Sequence, residues 1–266
     1  MRFDDLDAKM RIFETAHDHC VLPHIYMVAR LDGRNFTKLT KESDSFEAPF
    51  DLAFRNMMVE TTSHLMNCGF NIIYGYTESD EISLLFHQND DTFNRKLRKL
   101  TSILAGEASA KFTYLLSYLF PTIRKIVCFD CRISQLPSVP DVIDYFRWRQ
   151  EDAHRNSLNA HCYWFLRNVG KSPKEATKFL LNMSVAEKNE FLFQQDINYN
   201  DLPNWQKRGI GIIWKAYEKI GTNPKTNQQV TTMRKELKTN YDLPIKDEYD
   251  TFIVQHLIKD MRRIKC

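Results

Sequence analysis

Long hydrophobic runs are missing from this sequence: no stretch approaches the ~18 consecutive apolar residues of a membrane helix, and the opening MRFDDLDAKM reads as too acidic for a secretory or mitochondrial leader. The expectation is a cytoplasmic protein with no membrane partner. Cysteine is sparse, six residues without the spacing of a disulfide framework, which suits reduced thiols. Glycine is sparse too, at 8 residues, and no G-x-x-x-x-G-K-[ST] loop, G-x-G-x-x-G turn or G-x-S-x-G elbow occurs. The usual nucleotide-fold and hydrolase readings are thereby excluded. Nor does one sign of charge dominate. With 37 basic and 34 acidic residues the net charge is +3, so a polyanionic partner must be held by local patches. There is no internal repeat and no low-complexity block.

What is present is a folding sequence. Its 266 residues, 43% of them hydrophobic, can fill one large domain or two modest ones. In LPHIYMVARLDG, Ile25, Met27 and Ala29 alternate with other residues and end in a turn signal, predicting a strand that runs into Asp32. Apolar residues at helical spacing then predict a helix from about Phe50 to Cys68, closed by Gly69. FNIIYGYTESDEISLLF reads as a hairpin of Phe70–Tyr76 and Ile82–Phe86 with acid at its bend, followed by a helix over roughly Asn94–Leu119 that Pro121 stops. RKIVCFDCRIS predicts a fourth strand. The order strand, helix, strand, strand, helix, strand is the ferredoxin-like split βαβ pattern, an α+β fold with a four-stranded antiparallel sheet and two helices on one face. In that topology the first strand neighbours the hairpin, so Asp32 and Asp80 can meet at one edge.

Beyond Pro140 the character changes, and we divide the chain into a catalytic domain over 1–140 and a mostly helical extension over 141–266. The extension is expected to hold a long helix from Asp141 to Asn168 and another in KSPKEATKFLL with Ser172 as N-cap and Pro173 at its first position. A short hairpin, a polar linker GTNPKTNQQVTT and a basic tail HLIKDMRRIKC follow. In the tail, Lys259, Arg262, Arg263 and Lys265 could contact the phosphates of a polyanionic partner or simply form a solvated face.

Asp32 and Asp80 are the central pair. Two carboxylates at neighbouring strand ends can bridge two Mg²⁺ ions about 3.5–4 Å apart, the arrangement that stabilises attacking and leaving oxygens in phosphoryl transfer. Glu81 points to the opposite face from Asp80 in an extended strand and is the weaker candidate. Ordinary solvated turn acids are the competing account. In the long helix, RWRQEDAHRNSLN is polar for three turns, and Arg149, Asp152, Asn156 and Asn159 share one face while His154 looks elsewhere. This is either an exposed, charge-paired helix or the wall of a polar groove in which Arg149, His154 and Arg155 hold phosphates. The cluster Arg95, Lys96, Arg98 and Lys99 at a helix start is either a solvated face or a triphosphate site beside the two aspartates. Cys128 and Cys131 have metal-ligand spacing, but in a strand they point to opposite faces, and both read better as small buried hydrophobes.

Several stretches together resemble one family. RLDGRNF, YGYTESDEISLLF, FDCR, WRQEDAHRNSLNAHCYW, EKNEFLF, INYN and KRG, spread over about residues 20–215, are similar to the tRNA-His guanylyltransferases and their bacterial and archaeal relatives, the 3′-to-5′ polymerases. The resemblance implies a polymerase palm-like domain, two Mg²⁺ ions, ATP and GTP or other nucleoside triphosphates as substrates, tRNA as partner and a homotetramer. It implies activation of a 5′-monophosphate by ATP, then attack of the 3′-hydroxyl of an incoming nucleoside triphosphate with release of AMP. By position, Asp32, Asp80 and the Gly33 carbonyl resemble the family's metal contacts, and Glu81 its neighbouring acid. Arg30, Ser79, Arg95, Lys96, Lys99 and Arg132 resemble groups around triphosphates, with Arg34, Asn35 and Phe36 completing the nucleotide-binding turn. His154, Arg155, Asn156, Lys188, Asn198, Lys207 and Arg208 fall in motifs expected to meet RNA. The chain departs from the family pattern at Ser157, Asn159 and Ala160, and carries Ala48 where many eukaryotic members have lysine. These departures are similar to the bacterial-type relatives and imply template-directed repair of tRNA 5′ ends rather than addition of one G to tRNA-His. The other readings are a palm protein that cyclises a triphosphate and a non-catalytic RNA-binding module.

Overall fold

A computed structural model describes residues 2–42, 45–222 and 228–261. In chain order it has α1 (Phe3–Thr15), β1 (Tyr26–Arg34), α2 (Phe36–Glu42), α3 (Leu52–Leu65), β2 (Ile72–Glu78), β3 (Glu81–Phe86), α4 (Leu97–Leu119) and β4 (Cys128–Leu136). Then come α5 (Val139–Asn168), α6 (Pro173–Leu180), α7 (Val185–Phe193), α8 (Asn204–Arg208), β5 (Ile210–Thr222), β6 (Gln229–Asn240) and α9 (Lys246–Met261). The fold is α+β. Its single sheet is antiparallel throughout and six-stranded, in the order β4-β1-β3-β2-β5-β6.

Strands β1 to β4 with α3 and α4 between them have the predicted order, and β1 lies beside β3 as required to join the two aspartates. The remaining two strands correct the expectation of four. Segment GTNPKTNQQVTT is not a linker: Gly221 and Thr222 end β5 and Gln229 opens β6, with 223–227 outside the described residues. The strand pair escapes periodicity because its outer half is exposed on both faces, so its sequence carries no apolar alternation. HLIKDMRRIKC does not begin a tail either. Tyr249, Ile253 and Leu257, at i, i+4 and i+8, bury α9 against the sheet, while Arg262, Arg263 and Lys265 lie outside the described residues.

Helices cover both faces, not one. Met27, Ala29 and Leu31 of β1 pack with α3 and α4, whereas Tyr26 and Val28 pack with Val142, Tyr145 and Phe146 of α5 and with α9. A strand buried on both sides reads as a continuous apolar run, which is how β1 reads up to Ala29. A third cluster joins Leu158, Cys162 and Leu166 of α5 to Ala176, Leu180 and Leu192 of α6 and α7. The two short helices are fixed by capping boxes at Ser172/Glu175 and Ser184/Glu187. Thus α5 serves two cores and has a polar middle between them. Helix α4 starts at Leu97 and not at Asn94, because Phe93, Asn94 and Arg95 take φ of 53°, 53° and 58°, in the left-handed region.

Candidate functional site

The end of β1 and the β2–β3 turn come together as the sequence predicts. Glu78 and Glu81 face each other across the hairpin, leaving Ser79 and Asp80 as its two-residue turn; Ser79 has the positive φ (46°) such turns require. Asp32 pairs with Glu81 across β1 and β3, and the Gly33 N–H donates to the Asp80 carbonyl at 3.1 Å. The two aspartates therefore flank one point at the sheet's end. The Ser79 hydroxyl donates to Asp80 Oδ1 at 3.1 Å. Burial, reinforced by the like charge of Asp32, pushes the Asp80 carboxyl up to about 6.

Gly33 has a more local reason than ligand approach. A Cβ there would stand 2.5 Å from Phe36 Cδ2, and the Phe36 ring is locked among Phe54, Phe112 and Phe129 at centroid distances of 5.9, 4.9 and 5.0 Å. Asn35 makes the turn into α2 with φ of 64°. Phe36 is thus a core residue under the site.

Glu81 is tied to the opposite wall. Arg149 Nη1 donates to its two carboxylate oxygens at 3.1 and 2.9 Å, and Arg30 lies 3.9 Å away. Burial raises the Glu81 carboxyl and Arg149 opposes the shift. Glu78, not singled out in the sequence, is the fourth acid at this end: burial, Glu81 and Asp152 push its carboxyl well above the usual range. Its signal was parity, since in a two-residue hairpin Glu78 must share the face of Glu81.

These acids open into a cleft of about 830 Å³. Its other walls are the Phe46–Asp51 loop, Phe54 and Arg55 of α3, the face of α5 that presents Asp152, Asn156 and Asn159, and Lys188 and Trp205. The polar middle of α5 is therefore a groove wall: Asn156 donates to Asp152 at 3.3 Å and Lys188 Nζ donates to Asn159 at 2.9 Å. Arg155 also lines the cleft. His154 faces Tyr199 at 5.3 Å, and burial with the charges of Lys207 and Arg208 depresses its pKa.

Other predicted residues lie elsewhere. Lys207 is buried and donates to the Asn200 carbonyl at 2.6 Å, Arg208 donates to the Leu243 carbonyl at 3.1 Å, and Asn198 bonds Asp201 at 2.9 Å; they brace the segment between α7 and β5. Arg30 and Arg132 are register partners across β1 and β4, with Arg132 on Asp130 at 3.0 Å, and Arg34 is exposed at the end of β1. Arg95 is a correction within this chain. Its guanidinium donates to the carbonyls of Gln88, Asp90 and Ile25, while Lys96 and Arg98 pair with Asp18. Ile25 precedes β1 and Asp32 lies seven residues further along it, so about 20 Å of strand separates this cluster, Lys99 included, from the carboxylates. Cys128 is exposed and not a small core residue, whereas Cys131 is half-buried with its thiol pushed up to about 12 by burial.

The donor set fits Mg²⁺. Arg30 and Arg149 are occupied by Glu81, and among the described residues no ion pair closes on Asp32 or Asp80. No three His, Cys, Asp or Glu side chains among those residues form a ready-made cage. Mg²⁺ needs none, since it takes one or two carboxylates and completes its shell with water and substrate phosphates. No helix among the described residues is long and apolar enough to cross a membrane.

Comparison with known proteins adds independent information. The family model described as tRNAHis guanylyltransferase matches residues 7–137, and the Thg1 C terminal domain matches residues 140–253. A probable tRNA(His) guanylyltransferase of Bos taurus is 36% identical over 222 residues, covering 80% of this chain and 72% of that protein. That of Mus musculus is 32% identical over 217 residues, with the same coverage of 80% and 72%. Among solved structures, a bacterial tRNA(His) guanylyltransferase (Thg1)-like protein in complex with ATP superposes with a TM-score of 0.73 at 28% identity, covering 95% of this chain and 99% of that one. The same description in complex with GTP gives 0.71 at 27% identity with the same coverage of 95% and 99%. The tRNA(His) guanylyltransferase of Saccharomyces cerevisiae gives 0.68 at 29% identity over 76% of this chain and 91% of that one. Matches of this extent across both halves of the sequence make the chain a member of the tRNA-His guanylyltransferase family, and hence a nucleotidyltransferase.

Proposed function

We propose that this nucleotidyltransferase adds nucleotides in the 3′-to-5′ direction to shortened tRNA 5′ ends, choosing each by Watson–Crick pairing with the opposite acceptor strand. The observation that carries the reading is the convergence of Asp32 and Asp80 on one cleft of about 830 Å³ whose far wall is the polar face of α5. In this reading the first four strands with α3 and α4 are the palm-like unit, and residues 141–266 add the RNA-facing wall. Two Mg²⁺ held by Asp32, Asp80 and the Gly33 carbonyl would supply charge neutralisation and an activated hydroxyl.

The chain's own residues do the rest. Glu81, bonded to Arg149, fixes α5 against the sheet and so sets the width of the cleft. Arg55, Arg155 and Lys188 line the cleft as cations for phosphate oxygens, and Arg30 and Arg132, partners across β1 and β4, sit two register positions from Asp32. The 5′-monophosphate attacks the α-phosphate of ATP, and pyrophosphate leaves. The 3′-hydroxyl of the incoming nucleoside triphosphate then attacks the adenylylated 5′-phosphate, AMP leaves, and the new end keeps its own triphosphate. Holding both reactants in line is the main contribution asked of the protein. For Lys99 to serve that triphosphate it must come from a second copy, as the homotetramer implied by the resemblance would allow.

Repair is favoured over a single untemplated G by Ser157, Asn159 and Ala160 on the cleft wall, and by the fuller overlap with the bacterial Thg1-like protein than with the yeast enzyme. The second reading, addition of one G to tRNA-His, is favoured by the names of the curated relatives. The test is addition to a 5′-monophosphorylated tRNA lacking its first nucleotide, with ATP, Mg²⁺ and each nucleoside triphosphate in turn. Addition of only the complementary nucleotide supports repair; addition of G alone, and only to tRNA-His, replaces it with the second reading.

A further inference from the structure

Arg55 is a cation without an acid. It lies in the first turn of α3, four residues after Asp51, the spacing at which a carboxylate and a guanidinium on one helix face meet. Asp51 is spent elsewhere: as N-cap its Oδ1 accepts the Phe54 N–H at 2.7 Å and its Oδ2 the Glu47 N–H at 3.0 Å. Arg55 Nε and Nη2 donate instead to the neutral Asn56 Oδ1 at 3.1 and 2.9 Å. Among the described residues no carboxylate pairs with this guanidinium.

Two aromatic rings hold it. Arg55 Cζ lies 4.8 Å from the Trp205 ring centroid and 4.9 Å from that of Tyr241, so α3, α8 and the segment after β6 meet at one side chain. Phe50 stands edge-on to Trp205 at 5.8 Å and 84°. Asn204 donates to Asp242 at 3.2 Å and ties the two ring-bearing segments together. Cation–π contacts of this kind orient a guanidinium and leave its charge unneutralised.

The place of this unit gives it a ligand. Trp205 comes five residues before Ile210, the register partner of Thr77, so the unit stands at the carboxylate end of the sheet. Among the described residues three cations line the cleft: Arg55, Arg155 and Lys188. Lys188 is bonded to Asn159 and Arg155 is exposed on α5. Arg55 is the one fixed by rings, and it comes from α3, on the other side of the sheet from α5. An anionic chain lying in the cleft therefore meets cations from both sides.

We propose that Arg55, held over Trp205 and Tyr241, is a phosphate clamp of the cleft, taking a backbone phosphate of the RNA or the triphosphate of a bound nucleotide, and that the two rings are its positioning residues. The inference rests on the reading of the cleft as the site of nucleotide transfer. A guanidinium fixed in advance loses less freedom on closing a two-point contact with phosphate, so the rings add affinity without touching the ligand.

The experiment measures two affinities in the full chain: that for shortened, 5′-monophosphorylated tRNA without nucleotide, across a salt series, and that for ATP with Mg²⁺ without RNA. The proteins are wild type, Arg55→Ala, Trp205→Leu, Trp205→Phe and Arg55→Ala/Trp205→Leu. Arg55→Ala is expected to weaken one ligand about tenfold at 0.1 M salt, and if that ligand is tRNA the slope of log affinity against log salt falls by about 1. Trp205→Leu keeps the charge, so it is expected to leave the slope alone and to weaken the same ligand about threefold to tenfold, with Trp205→Phe recovering most of the loss. The double variant is expected to bind no worse than Arg55→Ala, because a ring that acts through the cation has nothing left to position. Loss of tRNA affinity assigns the clamp to the RNA backbone, and loss of ATP affinity assigns it to the triphosphate. Unchanged affinity for both ligands in Arg55→Ala overturns the proposal. So does additivity in the double variant, or a Trp205→Leu that melts below wild type yet binds both ligands as wild type does, since either makes the contact a structural tie between α3 and α8. Where Trp205→Leu does not fold, Tyr241→Leu carries the same cycle at a more exposed ring. If the affinities behave as expected and wild type extends no shortened tRNA, the clamp stands and the proposed activity falls.

Discussion

Replacing Arg149 with alanine removes the cation that holds α5 to the sheet. The Arg149 side chain is 4% exposed and that of Glu81 13%, with contacts of 2.9 and 3.1 Å between them and a further 3.4 Å contact to Asp152. The guanidinium also covers the Trp148 ring at 3.7 Å. Without it, Glu81 keeps only Arg30, 3.9 Å away, against the like charges of Asp32 and Glu78, and removing one partner of a buried pair costs about 3–5 kcal/mol. Glu81 can escape part of that cost by taking a proton, which places the expected loss near 3 kcal/mol at pH 8. For a chain of this size that is a fall in Tm of roughly 6–12 °C.

The pH dependence follows from the sign of the shift. Burial already raises Glu81 above its usual 4.5 and Arg149 opposes it, so the variant's native state holds the proton to still higher pH than its unfolded chain does. The native form then binds more protons than the unfolded one between those two values, and the variant loses stability as pH rises from 5 to 8. Urea and thermal unfolding of Arg149→Ala at pH 5 and 8 give the measurement. The double variant Arg149→Ala/Glu81→Gln, which removes the Glu81 charge, is expected to recover at least about 1 kcal/mol at pH 8. A loss below about 1 kcal/mol at pH 8, or one that does not shrink at pH 5, refutes the reasoning.

Two further outcomes are expected. With its carboxyl pushed up to about 6, mainly by burial, Asp80 is largely protonated at pH 5, so nucleotide addition falls as pH drops through 6 and added Mg²⁺ partly restores it. In the metal-free protein the same raised value stabilises the fold below about 3.8 and is lost as pH rises through about 6. Stability toward urea should therefore decline between those values and recover with Mg²⁺; a flat activity profile from pH 5 to 7 would contradict the assignment. Gly33→Ala places a Cβ 2.5 Å from the locked Phe36 ring, an overpacking expected to cost about 1–3 kcal/mol by urea unfolding. Adding Phe36→Leu should relieve part of it, and no relief would show that Gly33 is required for another reason.

Strong local periodicity made β1, α3, the β2–β3 hairpin, α4 and β4 readable, and their order placed β1 beside β3. Meeting of Asp32 and Asp80 followed from that order. The polar centre of α5 was visible too, but only the structure chooses a groove wall over a solvated face, because the choice depends on α7 bringing Lys188 to Asn159. Arg95 was misread for a physical reason. Its partners include the carbonyl of Ile25, 70 residues earlier, and a guanidinium consumed by backbone oxygens looks in sequence like any surface cation. The outer halves of β5 and β6 stayed hidden because they bury little, and α9 because its polar composition masked three buried positions.

The central claim is that Asp32 and Asp80 together run the transfer. The most direct test is nucleotide addition to 5′-monophosphorylated, shortened tRNA by Asp32→Asn and Asp80→Asn, each across a Mg²⁺ titration and with folding checked by thermal melts. Both variants are predicted to melt near or above wild type, since each removes the like-charge repulsion between two half-buried carboxylates, and to lose addition by at least ~10²-fold even at high Mg²⁺. Either one retaining near-wild-type addition would contradict the account.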